Sequence, residues 1–261
     1  MIDPYLEAEY NNRTKVPGHP AVIAGWVRDA AAFRAAAEHA ELDVPYGPTP
    51  RQAMDIFWPS ARRDGPLAMF IHGGYWQGLD KSFASHLAAG LCAHGVAVAV
   101  PSYDLCPNVS LGEIVEQMRA AARFLLARHG RLDLVTGHSA GGHLAAMLLA
   151  DGGTPAALPI SGLFNLRPLL PTTINAALGL DAATADALSP VHRPPPAGRL
   201  FAVVGGLEGV EYARQTSDLV TAWGGGSAVL AGHDHFTIPG ELASPGSVLT
   251  GHAVALALGA E

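Results

Sequence analysis

Several things are scarce in this chain of 261 residues, and each scarcity excludes a class of protein. No apolar run reaches the roughly 18 residues of a membrane-spanning helix. Charged residues are only 15% of the chain, 16 basic against 23 acidic, for a net charge of −7. The basic residues form no cluster, so the footprint needed for nucleic acid or an anionic membrane is missing, and neither is expected as a partner. The two cysteines, Cys92 and Cys106, are too few for a disulfide framework and read as free thiols of a reducing cytoplasm. The opening residues, MIDPYLEAEY, are acidic and lack the basic and apolar regions of a secretory signal. Internal repeats and low-complexity segments are also missing.

What is present is apolar and regularly punctuated. Hydrophobic residues make up 49% of the chain, with 30 glycines and 20 prolines, which suits a compact globule. The pattern predicts one α/β domain over residues 1–261, with an N-terminal segment at 1–50 and a proline-rich, cap-like insertion at about 162–198. Residues 20–40 read as one helix after Pro20, and the prolines at 45–50 as a loop. Strands are expected at 52–58, 67–71, 96–100, 132–136, 158–161, 200–204 and 228–230, with a turn at 62–65. Helices are expected at 82–94, 111–129, 142–150, 210–223 and 248–258, with Gly95 and Gly130 closing two of them. Strands that are continuous apolar runs and alternate with helices imply a mainly parallel sheet covered on both faces. Sites in such sheets lie beyond the carboxyl ends of the strands. An apolar face on the last helix is a possible homodimer surface.

Four clusters fall at those strand ends. The first is Gly137-His138-Ser139-Ala140-Gly141, between a strand-like and a helix-like run. It reads as a nucleophile elbow, the sharp turn that lifts a serine into a pocket. Side chains at 137 or 141 would crowd the backbone beside Ser139. Serine needs a base, and histidine titrates in the right range. Of 12 histidines, only His233, His235 and His252 follow residue 200. His252 falls in the last helix and reads as structural. His235 is preferred to His233 because it lies farther into the loop and Phe236 could pack behind its ring. A metal reading of His233-Asp234-His235 lacks a further ligand cluster, so no metal is expected. The acid should follow the preceding strand, where Glu208 stands. Glu211 is its rival, expected in the first turn of the next helix as a complement to the helix dipole.

An oxyanion hole needs backbone N–H groups. Ala140, after the nucleophile, would supply one, and Gly73 and Gly74, after the strand at 67–71, the other. His72 could hold that loop. Tyr75, Trp76 and Phe236 are candidates for the substrate pocket, with plain packing as the alternative for the first two.

Taken together, His72-Gly73-Gly74 and Gly137-His138-Ser139-Ala140-Gly141 give a chain that resembles the α/β-hydrolase superfamily over roughly residues 52–258. Within it the chain looks most like the kynurenine formamidase (arylformamidase) group. The residues that carry this likeness are His72–Trp76, Gly137–His143, Arg214-Gln215, His235-Phe236 and the opening Glu9-Tyr10-Asn11-Asn12-Arg13. The group more often carries Asp where Glu208 stands. The resemblance implies a serine hydrolase of a small acyl amide or ester, with a small-molecule substrate and no cofactor. A carboxylesterase for short acyl esters uses the same machinery and is the alternative. A non-catalytic binding protein on the same scaffold would lack an intact Ser139, Glu208 and His235.

Overall fold

The computed structural model describes residues 1–60 and 64–259. The turn expected at 62–65 therefore lies partly outside the described residues. Three helices open the chain: α1 (Pro4–Tyr10), α2 (Asn12–Lys15) and α3 (His19–Ala36). Strands β1 (Ala40–Pro45), β2 (Ala53–Phe57) and β3 (Leu67–Ile71) follow. Then come α4 (Ala89–Ala93), β4 (Ala97–Pro101), α5 (Leu111–His129), β5 (Leu134–His138), α6 (Ala140–Ala150) and β6 (Ala156–Ile160). The insertion carries α7 (Asn175–Leu178) and α8 (Ala182–Ala187). The chain closes with β7 (Arg199–Gly205), α9 (Val210–Trp223), β8 (Gly226–Leu230) and α10 (Val248–Leu258).

The eight strands form one sheet in the order β1-β2-β4-β3-β5-β6-β7-β8. β1 and β2 pair antiparallel, as do β2 and β4, and every other pairing is parallel. Successive side chains of a strand face opposite sides, and both sides are covered here. Leu67, Met69 and Ile71 of β3 join a core with residues of α5, α6 and α9. Ala68 and Phe70 join a second core with α4 and α10. The continuous apolar runs of β3 to β6 follow, since every residue of these strands is buried.

Local chemistry fixes the ends of the long helices. α5 begins with a capping box, Ser110 and Glu113 bonding reciprocally, and ends at Gly130 with φ 72°. Three expectations need correction. The helix expected over 20–40 stops at Ala36, because Ala40 already pairs with Phe57 in the edge strand β1. The single helix expected over 82–94 is two short 3-10 turns followed by α4. There the Ser82 hydroxyl bonds Asp80 and the Ser85 hydroxyl bonds the Lys81 carbonyl, competing locally with a regular helix. Finally, α1 and α2 form in a stretch for which no helix was expected.

Candidate active site

The candidate site stands over the carboxyl ends of β3, β5, β7 and β8. Ser139 lies between β5 and α6 with φ 57° and ψ −116°, a backbone conformation costly for a residue with a side chain. Packing enforces it. A Cβ at Gly141 would stand 2.0 Å from the Ile71 carbonyl oxygen, and one at Gly137 would stand 2.4 Å from the Gly141 oxygen. The Ser139 N–H is anchored to the Ile160 carbonyl at 2.8 Å. α6 can therefore approach the sheet only with glycine at both positions, and the serine is forced to the top of the turn.

His235 Nε2 lies 3.0 Å from Ser139 Oγ, and His235 Nδ1 lies 2.6 Å from Glu208 Oε2. The other Glu208 oxygen accepts from the Ser161 hydroxyl at 2.5 Å and the Gly205 N–H at 2.7 Å. The carboxylate is only 1% exposed and the imidazole 7%. A carboxylate only accepts, so Nδ1 carries the proton and Nε2 is left to accept from Ser139. The imidazole is held between Tyr212 and His138, each with its ring centre 4.6 Å away, and Phe236 meets it edge-on. Burial pushes His138 well below the ordinary histidine range.

The two rivals stand elsewhere. His233 lies 3.6 Å from Glu241. Glu211 does more than complement a helix dipole. It is buried, accepts from the Tyr10 hydroxyl at 2.8 Å and pairs with Arg214 at 2.6 Å.

The loop after β3 has its carbonyls engaged by side chains. The Tyr103 hydroxyl donates to the carbonyls of His72 and Gly73, at 3.0 and 3.3 Å, and His72 Nδ1 donates to that of Gly73 at 2.8 Å. The His72 and Tyr103 rings stack 4.2 Å apart, and burial lowers His72 to about 4, so the ring stays neutral. Across a trans peptide, N–H points opposite to C=O, so the N–H groups of Gly73 and Gly74 face the other way. A Cβ on Gly73 would lie 3.2 Å from that of Ser139. Gly74 has φ 103°, which only glycine adopts readily. Ala140 opens α6, where the N–H has no acceptor within the helix.

A cavity of about 440 Å³ opens over Ser139 and His235. Tyr75 and Phe236 line it. Trp76 does not: it is fully buried, edge-on to His143 at 5.1 Å, and belongs to the core. Three backbone positions after Gly74 have positive φ, at Tyr75, Trp76 and Leu79. Within this left-handed stretch the Tyr75 side chain reaches the cavity and the Trp76 side chain is buried in the core. A depression of about 580 Å³ at the other end of the sheet, with Arg131, Asp133 and Arg199, contains none of these groups.

Sequence reasoning missed the roof of the cavity. It comes from Tyr10, Asn12, Arg13 and Trp26 of the first three helices, together with Thr173 and Ile174 of the insertion. The Asn12 amide donates to the Tyr212 hydroxyl at 2.8 Å, and the Tyr75 hydroxyl bonds that of Tyr212 at 2.6 Å. Gln215 accepts from the Phe164 and Asn165 N–H groups and donates to the Tyr10 hydroxyl. His143, which burial holds near 4, bonds the Leu188 carbonyl at 2.8 Å and ties the insertion to α6. Glu9–Arg13, His143 and Gln215 stand among the residues that carry the family likeness, but the sequence assigns them no role in the cavity.

Comparison with known proteins agrees with this architecture. Residues 54–155 match the family model BD-FAE. The chain is 33% identical to kynurenine formamidase from Danio rerio over 160 residues, 57% of this chain and 55% of that one. With kynurenine formamidase from Salmo salar it shares 33% over 165 residues, 59% of this chain and 56% of that one. The matched stretch thus spans about half the length of these curated relatives. The crystal structure of a putative thioesterase from Silicibacter sp. TM1040 superposes with a TM-score of 0.90 at 36% identity, covering 96% of this chain and 99% of that one. Elbow, sheet order and full-length similarity together place the chain in the α/β-hydrolase superfamily, as a member similar in sequence to the kynurenine formamidases.

Proposed function

We propose that the chain is a serine hydrolase that cleaves a small acyl amide or ester through an acyl-enzyme, most like a kynurenine formamidase converting N-formylkynurenine to kynurenine and formate. The observation that carries this reading is the unbroken relay from Glu208 through His235 to Ser139, with distances of 2.6 and 3.0 Å, beside a cavity. Ser139 Oγ attacks the acyl carbon as His235 Nε2 takes its proton. The N–H groups of Ala140 and of the Gly73-Gly74 segment receive the developing oxyanion. His235 then gives its proton to the departing amine or alcohol. Water enters by the same route in reverse and releases the acid and Ser139. Glu208 keeps its charge throughout and stabilises the imidazolium. We assign Tyr75 and Phe236 to the substrate pocket.

A short-chain carboxylesterase is the alternative, and the description of the Silicibacter relative adds thioesters to the candidates. The first experiment is kcat/KM for N-formylkynurenine, p-nitrophenyl acetate and a short acyl thioester, with Ser139→Ala as control. Preference for the formamide, lost in the variant, supports the formamidase. Fast ester or thioester turnover with negligible formamide cleavage moves the natural substrate to that class. Full activity in folded Ser139→Ala refutes the mechanism. Both thiols are free, and burial raises them to about 12 for Cys92 and about 11 for Cys106, which disfavours their thiolates.

A further inference from the structure

The cavity has one charged side chain that the proposed chemistry does not use. Arg13 lines the cavity and is exposed at its mouth. Its neighbours are engaged: Lys15 pairs with Glu9, and Arg214 with Glu211 and Asp218. Among the described residues, Arg13 makes no ion pair or hydrogen bond. The cavity's other charged side chain, Glu7, has its two oxygens occupied by the N–H and hydroxyl of Thr173, at 2.8 and 2.6 Å. An arginine free of partners beside an engaged carboxylate leaves the guanidinium open to a ligand.

Its position says which part of the substrate it meets. Arg13 follows Asn12, whose amide bonds the Tyr212 hydroxyl, and the Tyr212 ring packs on His235. His235 hands its proton to the departing group, so that group leaves on the side of the cavity roofed by α2. With a net charge of −7, the whole chain offers anions no long-range attraction. Recognition of an anion then falls to a local donor, and a guanidinium matches a carboxylate with two parallel N–H bonds.

Resting on the serine-hydrolase reading, we infer that Arg13 selects substrates whose leaving group carries a carboxylate. The test uses three acetate esters with one acyl group: of 3-hydroxybenzoate, of its methyl ester, and of 3-hydroxyphenyl-trimethylammonium. Intrinsic reactivity cancels when each kcat/KM ratio is compared between wild type and variant. The preference for the carboxylate over the neutral ester should fall about tenfold in Arg13→Gln, as suits a partly exposed charge-assisted pair. Arg13→Glu should turn the preference toward the cation. A ratio unchanged within about twofold in both variants overturns the inference. Should neither variant fold, inhibition of the wild type decides. Inhibition by 3-hydroxybenzoate that exceeds that by its methyl ester, and weakens as salt rises, supports Arg13 as the anion site; equal, salt-independent inhibition overturns it. Inactive Ser139→Ala with an unmoved Arg13 ratio refutes this inference alone, whereas active Ser139→Ala refutes the hydrolase reading beneath it.

Discussion

Replacing Glu208 by glutamine tests the relay more sharply than deleting the side chain. Oε1 of Glu208 accepts two hydrogen bonds, from the Ser161 hydroxyl and the Gly205 N–H, while Oε2 faces His235 Nδ1. In Glu208→Gln the two donors hold the amide oxygen in the Oε1 position. The amide NH2 then faces Nδ1 and can only donate, so Nδ1 must become an acceptor and the proton moves to Nε2. That nitrogen points at Ser139 Oγ, 3.0 Å away, and can no longer take its proton. The variant keeps the shape and loses the correct tautomer, a change that lowers kcat by roughly ten-thousand-fold in a Ser-His-Asp enzyme. At about 1.4 kcal/mol per factor of ten, this is about 5.5 kcal/mol of transition-state stabilisation. KM should hardly move, because the side chain is 1% exposed and lies behind the imidazole. Steady-state hydrolysis of p-nitrophenyl acetate, with a thermal melt to verify folding, measures the effect. A folded variant that retains more than about a tenth of wild-type kcat would refute the tautomer argument.

Other expectations follow from the same contacts. Glu211→Ala should cost about 1–3 kcal/mol of stability by leaving the Tyr10 hydroxyl and Arg214 without their shared acceptor; chemical denaturation measures it, with kcat falling far less than in Glu208→Gln. The hydrogen bond from Arg214 holds the Glu211 carboxyl below its ordinary 4.5. Its contribution is therefore complete above the unfolded value and fades as pH falls through the lower folded value. The stability gap between wild type and Glu211→Gln should narrow between about pH 6 and pH 3, and a gap constant over that range would contradict the assignment. Gly141→Ala should yield no correctly folded protein, since its Cβ would stand 2.0 Å from a backbone oxygen; a melt matching wild type would show the elbow is looser than described.

Long, strongly patterned segments were legible. Residues 67–71, 111–129, 210–223 and 248–258 fall where the pattern puts β3, α5, α9 and α10, because apolar spacing and end residues agree there. β1 escaped notice because it is a half-exposed edge strand with acidic residues, and the strand pairing that stops α3 is tertiary. Chain order and strand ends singled out Ser139, Glu208 and His235, and the structure brings the three side chains together. Trp76 was misassigned because its direction depends on the positive φ of its own loop. Ser161, with φ 49°, was invisible because its role is a single bond to a residue 47 positions away. The roles of the roof residues were hidden for the same reason, since Asn12, although part of a run the resemblance singles out, acquires meaning only beside Tyr212.

That separation also orders events during synthesis. Tyr10 bonds Glu211 and Gln215, which lie 201 and 205 positions later, and Asn12 bonds Tyr212, 200 positions later. A ribosome releases the first helices long before these partners exist, whereas β3, β4 and β5 can pair as they emerge. His235 follows later still. The sheet can thus be largely assembled while Ser139 is still unpaired and uncovered, and under the proposed mechanism the nascent chain has no hydrolytic activity until His235 has emerged. The helices α1 and α2 wait some 200 residues of synthesis for these partners, so delayed docking of their aromatic residues is a step at which a growing chain is exposed to wrong associations.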